Sequence, residues 1–124
     1  LQGKIDQACD LVRDLRLQGE DEIKLIAIML GQFRLFTQVK ILAQAGKNES
    51  AMVTQLSELL GRKINPYQVK FALRDSRPLT LSFLKEAMAT LISTDYQIKQ
   101  GKLDKAYLFD LALLKIASAK QRGV

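Results

Sequence analysis

Histidine is missing altogether from this sequence of 124 residues, and cysteine occurs once, at Cys9. The first absence excludes a Ser-His-Asp or Cys-His nucleophile pair, a His-ligated metal and the commonest general base near neutral pH. The second leaves no intrachain disulfide framework and no zinc cluster, and points to the mildly reducing cytoplasm. Cys9 itself falls on an apolar helical stripe, where a lone thiol packs as a small hydrophobe. The longest apolar run, residues 25–30, is far short of the roughly 20 residues of a membrane span, so no membrane helix is expected. A phosphate-cradling glycine loop is also missing. None of the Gly-Lys pairs at 3, 46 and 101 has a glycine five residues before it or a Ser or Thr after it. The carboxylates are scattered, with no two placed in one apolar pocket, so paired acid and base catalysis has no support. We therefore expect no catalytic residue, no cofactor and no metal within these residues. The chain starts Leu1-Gln2-Gly3, without an initiator Met or a signal pattern, and reads as a piece of a longer protein.

What is present is helical spacing. Proline occurs only at 66 and 78, strand-type alternation is not sustained anywhere, and apolar residues recur at intervals of three and four. The length suits one domain spanning 1–124, large enough for a real core. We expect an all-α fold, a single bundle of about six helices. The first covers residues 3–18, with Ile5, Ala8, Cys9, Val12 and Leu15 on one stripe. The second, 21–45, is apolar over most of its circumference, its polar stripe of Lys24, Gly31, Arg34 and Gln38 being only about 80° wide. That composition marks a central helix. A third helix, 49–60, stops at Gly61. Asn65-Pro66 is a cap followed by proline at the first helical position and opens a fourth, ending near Arg77. Thr80 caps a fifth with an inward stripe of Leu81, Leu84, Met88, Leu91 and Ile98, and the last runs over 104–120. Asp95 falls on that stripe and needs a partner there, which Lys99, four residues on, supplies.

Two features point to recognition. Residues 1–61 carry 7 basic and 8 acidic side chains, a net −1, whereas 62–124 carry 12 and 5, a net +7. Lys70, Arg74 and Arg77 share a face of the fourth helix at spacings of four and three. With the preceding helix and glycine turn they resemble a helix-turn-helix, which would place them against DNA in the major groove. A solvated or protein-contacting face explains the same charges, and the connector 61–65 is longer than the usual three or four residues. The last helix is apolar on opposite sides, with Tyr107, Leu111 and Leu114 on one and Phe109, Ala112, Leu113 and Ile116 on the other. A small domain hides one such side readily. The second is either a bundle centre or a surface for another protein chain.

Four blocks, in order, carry a family resemblance. They are Gln32-x-Arg34-Leu35-Phe36-x-Gln38-Val39-Lys40-x-Leu42, Pro66-Tyr67-x-Val69-Lys70-x-Ala72-Leu73, Asp95-Tyr96-x-Ile98-Lys99-x-Gly101-Lys102-Leu103-Asp104, and Leu111-x-Leu113-Leu114-Lys115. Together they resemble the C-terminal domain of the delta subunit of bacterial DNA polymerase III, part of the clamp loader, in its Gram-positive form. The resemblance covers nearly the whole chain. It departs in the connector 61–65, about two residues longer than the usual turn, and in 75–80, where Asp-Ser-Arg-Pro-Leu-Thr replaces the usual Gln-Ala-Arg, aromatic, Ser run. The resemblance implies a collar domain that joins those of the tau or gamma and delta-prime subunits. Clamp opening would belong to an N-terminal part of the longer protein, DNA contact would be indirect, and no membrane would be involved. The complex it implies is a DNA-directed DNA polymerase, yet this domain would carry no chemistry. On this reading Phe109, Leu113 and Ile116 are expected as apolar contacts to neighbouring subunits, and Arg34 and Gln38 as polar ones. Lys70, Arg74 and Arg77 remain the candidate DNA contacts.

Overall fold

Each of the described helices starts on a side chain that accepts a hydrogen bond from a backbone N–H of its own first turn. The computed structural model describes residues 21–122, and in it Asp21, Asn48, Asn65, Thr80 and Asp104 accept from the N–H of Ile23, Ala51, Tyr67, Phe83 and Tyr107 at 2.8–2.9 Å. Those bonds satisfy donors that the helix itself leaves unpaired. The resulting elements are α1 (Glu22–Gln44), α2 (Glu49–Leu60), α3 (Pro66–Ser76), α4 (Leu81–Gln100) and α5 (Lys105–Gln121), with no strand among the described residues. The helix expected over 3–18, Cys9 included, lies outside the described residues. Gly61 and Gly101 close α2 and α4 at φ of 69° and 73°, a left-handed turn that a side chain would strain.

As its composition suggested, α1 is central: it packs on α4 and α3 and touches α5. Leu25, Ile26, Met29, Phe33, Leu35, Phe36 and Val39 are all buried. Phe33 meets the edges of Phe36 and Phe83 at centroid distances of 6.3 and 6.2 Å, an arrangement that suits the ring quadrupoles. By length and composition α1, with a mean hydropathy of 1.4, does qualify as long and apolar enough to cross a membrane. The shortness of the apolar run had suggested otherwise, because isolated polar residues interrupt the run without lowering the average much. Burial of seven large side chains in the core is the use this fold makes of that hydropathy.

α4 packs on α1 and α5, while α2 is held chiefly through α3. Two loop residues complete the core: Ile64, at 0% exposure, whose N–H donates to Ser57 Oγ at 3.0 Å, and Leu79, at 2%. On α4 the buried stripe is Phe83, Leu84, Ala87, Leu91, Thr94 and Ile98. Leu81 and Met88, expected inside, are half-buried, and Phe83 takes the central place. The pair Asp95–Lys99 forms at 2.9 Å, with Asp95 a quarter exposed. Beyond the helices, Lys40 Nζ donates to Ser76 O at 3.3 Å, giving the C-terminal end of α3 a cation where its carbonyls lack partners.

Candidate functional site

α5 holds the question the periodicity left open, and its neighbours answer it. The helix lies along α4 and reaches α1, so the side chains turned toward that seam are enclosed: Leu108, Phe109, Ala112, Ile116 and Ala119 are all under 5% exposed. The expectation that Phe109 and Ile116 touch neighbouring subunits is thus corrected. At 0 and 2% exposure they belong to the core of this domain and have no surface left for another chain. Leu113 is half-buried at the rim. The opposite side of α5 is the one that faces outward, with Tyr107 58% and Leu114 68% exposed and Leu111 half-buried between them. These three lie on one stripe about 10 Å long at 1.5 Å per residue. Polar ties fix the helix under it: Arg122 donates to Glu86 Oε1 on α4 at 2.8 Å, and Lys105 stands 3.9 Å from carboxylate oxygens of both Asp21 and Glu22.

A second surface is the exposed side of α3. At 100° per residue, Lys70, Arg74 and Arg77 fall together on a sector about 120° wide that also holds Tyr67 and Phe71. Arg77, the residue after the helix, keeps helical dihedrals and so stays on that sector. Tyr67 and Phe71 are 67 and 47% exposed, and their rings stack at 6.5 Å between centroids with 27° between planes. The Arg74 guanidinium lies 4.9 Å over the Phe71 ring and donates to Asp75 Oδ1 at 3.1 Å. Charge and spacing single out the three cations but not the two rings. The i, i+4 spacing of the rings beside the basic residues is the signal that could have found them. The connector 61–65 holds five residues between α2 and α3, which leaves the pair outside the usual helix-turn-helix geometry.

Arg34 and Gln38 occupy a third place, one turn apart on α1. Arg34 is exposed and Gln38 half-buried, and both line a cleft against the α2–α3 connector that Arg62 and Gln68 also line. So the structure keeps Arg34 with Gln38 and Lys70 with Arg74 and Arg77, and it separates both groups from Phe109, Leu113 and Ile116. Among the described residues, no group of three or more Cys, Asp or Glu side chains is placed to hold a metal ion.

Comparison with known proteins bears on what these surfaces serve. The family described as DNA polymerase III delta subunit, C-terminal domain, matches residues 1–116. DNA polymerase III subunit delta of Bacillus subtilis (strain 168) is 30% identical over 120 residues, covering 97% of this chain and 33% of that protein. Among solved structures, the Bacillus subtilis DNA clamp loader delta protein is similar with a TM-score of 0.80 and 28% identity, over 94% of this chain and 35% of that one. The chain thus spans about a third of the length of the relatives it matches.

Proposed function

The chain belongs to the family formed by the C-terminal domains of DNA polymerase III delta subunits, and on that premise we propose that it is the assembly domain of a clamp-loader delta subunit, acting in cytoplasmic DNA replication. Its work is to pack against the corresponding helical domains of the tau or gamma and delta-prime subunits in an oligomeric collar. The observation that carries this is the outward apolar stripe Tyr107, Leu111 and Leu114 on a helix whose other side already fills the core. Large exposed apolar side chains in a row favour a protein partner over water, and Tyr is among the residue types that dominate interfaces. The loop residue Leu103, just before α5, is a further large apolar side chain left exposed, at 58%. The domain contributes area and orientation and no bond-making step. ATP hydrolysis and clamp opening fall to other parts of the longer protein and its partners.

The test is co-purification with the C-terminal domains of the gamma and delta-prime subunits presented together. A ternary complex at micromolar concentration is the expected result, and its absence at those concentrations would remove the assembly role.

A second reading is favoured by the α3 surface alone. Stacked, exposed Tyr67 and Phe71 with Arg74 above them offer ring faces and charge side by side, which suits unstacked bases of single-stranded DNA better than a duplex groove. On this reading Lys70, Arg74 and Arg77 contact phosphates. Anisotropy titration with a labelled single-stranded oligonucleotide at low salt should then show binding that falls steeply as salt rises. Lys70→Ala, Arg74→Ala and Arg77→Ala together should flatten the logarithmic salt slope by about 2. Tyr67→Ala should weaken binding by roughly fivefold or more, following the ~1–3 kcal/mol of a stacked base. Equal affinity for duplex and single strands, or no binding at low salt, would discard this reading.

A further inference from the structure

α2 hangs on the domain by α3, with only Met52 and Leu56 buried, and it leaves a seam open against the C-terminal half of α1. The seam is a groove of about 630 Å³ between Ile41 and Leu42 of α1 and Gln55 and Leu59 of α2. Ile41 and Leu59 stay 51 and 69% exposed on its two walls. Gln38 lines this groove and also a cleft of about 340 Å³, and Arg34, Gln38 and Ile41 share one face of α1, so groove and cleft follow one another along that helix as the two parts of a channel. The cleft end has a different chemistry. Arg34 and Arg62 both line it, together with Gln32, Gln38 and Gln68, and no acidic residue does. Among the described residues neither guanidinium has a carboxylate partner. The one acidic residue of the channel, Glu58, lines the apolar groove. Gly31 lines the cleft, and a Cβ placed there would meet nothing within 4 Å, which leaves room for a chain to lie against the backbone of α1.

We infer that this channel docks an amphipathic helical segment of a neighbouring subunit, with an Asp or Glu carboxylate seated between Arg34 and Arg62 and apolar side chains filling the gap between Ile41 and Leu59. The inference rests on the assembly reading above and adds a surface separate from the α5 stripe. Two guanidiniums lining one concave site, neither with a carboxylate partner among the described residues, favour a carboxylate, which can accept from both. The apolar stretch beyond them favours a polypeptide, because a phosphate backbone has nothing to place on Ile41 and Leu59. No aromatic ring lines either part, so bases would find no stacking surface. Spacing follows from the helix that forms the wall. Arg34 and Ile41 are seven residues apart on α1, about 10 Å, so an occupant helix presents its acid and its apolar anchor about two turns apart.

The experiment uses the full-length delta protein assembled with its partners, with the photo-crosslinker p-benzoylphenylalanine in place of Gln55 and the cross-linked peptide mapped by mass spectrometry. The expected product joins Gln55's position to a partner segment that carries an Asp or Glu about seven residues from a Leu, Ile or Phe. Its yield should fall at least tenfold in Arg34→Glu/Arg62→Glu and by a smaller factor in the neutral Arg34→Gln/Arg62→Gln, with circular dichroism unchanged in both. A cross-link to DNA, to a second copy of this chain or to a segment without an acid overturns the inference, as does a yield unchanged by the arginine variants. An intact complex with no cross-link to a partner overturns it and leaves the assembly reading standing. Failure of the complex to form at all overturns the assembly reading and this inference with it.

Discussion

Phe109→Ala is expected to lower the folding free energy of this chain by about 3–5 kcal/mol, the range for removing a fully enclosed aromatic ring. The side chain is at 0% exposure on α5, and Ile116 and Ala112 are enclosed on the same side. Deleting the ring removes its transfer free energy and leaves a cavity that packed helices fill only partly. A domain of this size has a total stability of about 5–15 kcal/mol, so a loss of that order is a large fraction of it. Urea unfolding followed by circular dichroism checks the prediction: the midpoint should fall sharply with little change in slope. A variant as stable as the parent, but defective in binding partner subunits, would instead return Phe109 to the surface role that the periodicity alone had suggested.

Leu114→Asp should behave in the opposite way. Leu114 is 68% exposed, so folding stability should change by less than about 0.5 kcal/mol. Placed within an apolar contact, the new carboxylate would be desolvated without a partner, and binding to the gamma and delta-prime C-terminal domains should weaken by about 30-fold or more, the loss of about 2 kcal/mol that marks a hot-spot residue. Tyr107→Ala, seven residues earlier on the same stripe, should weaken binding in the same assay and likewise leave stability nearly unchanged. Calorimetric titration of both variants reads the effect. Affinities equal to the parent's in both would mean that partners do not use this side of α5. Together with Phe109→Ala, these substitutions separate the two sides of one helix, one by folding and the other by assembly.

The helix boundaries were legible because they are local. Asn48, Asn65, Thr80 and Asp104 sit two or three residues before the N–H they accept from, so the chain carries its own punctuation. The same holds for Gly61 and Gly101, where the left-handed turn is a property of the residue, and for Asp95–Lys99, a pair one turn apart. The central place of α1 was legible from its narrow polar stripe. The α3 surface was half legible: the spacing of Lys70, Arg74 and Arg77 placed the cations on one side, while the exposure of Tyr67 and Phe71 depended on which side α1 and α2 left uncovered. Ile64 and Leu79 gave no periodic signal, since single loop residues have no repeat to reveal that they point inward.

What the sequence determined by itself was the all-α class, the limits of the five described helices, the family and the shortage of groups for chemistry, because each depends on residue type or on spacing along a few turns. The tertiary structure alone decided which side of α5 is core and which is surface. Apolar residues on both sides leave a helix with no preferred inward direction, and the choice between Phe109 and Tyr107 was made by the seam between α4 and α1. It alone also placed Arg62, from a connector, on the same cleft as Arg34 of α1, residues 28 positions apart that no period in the chain brings together.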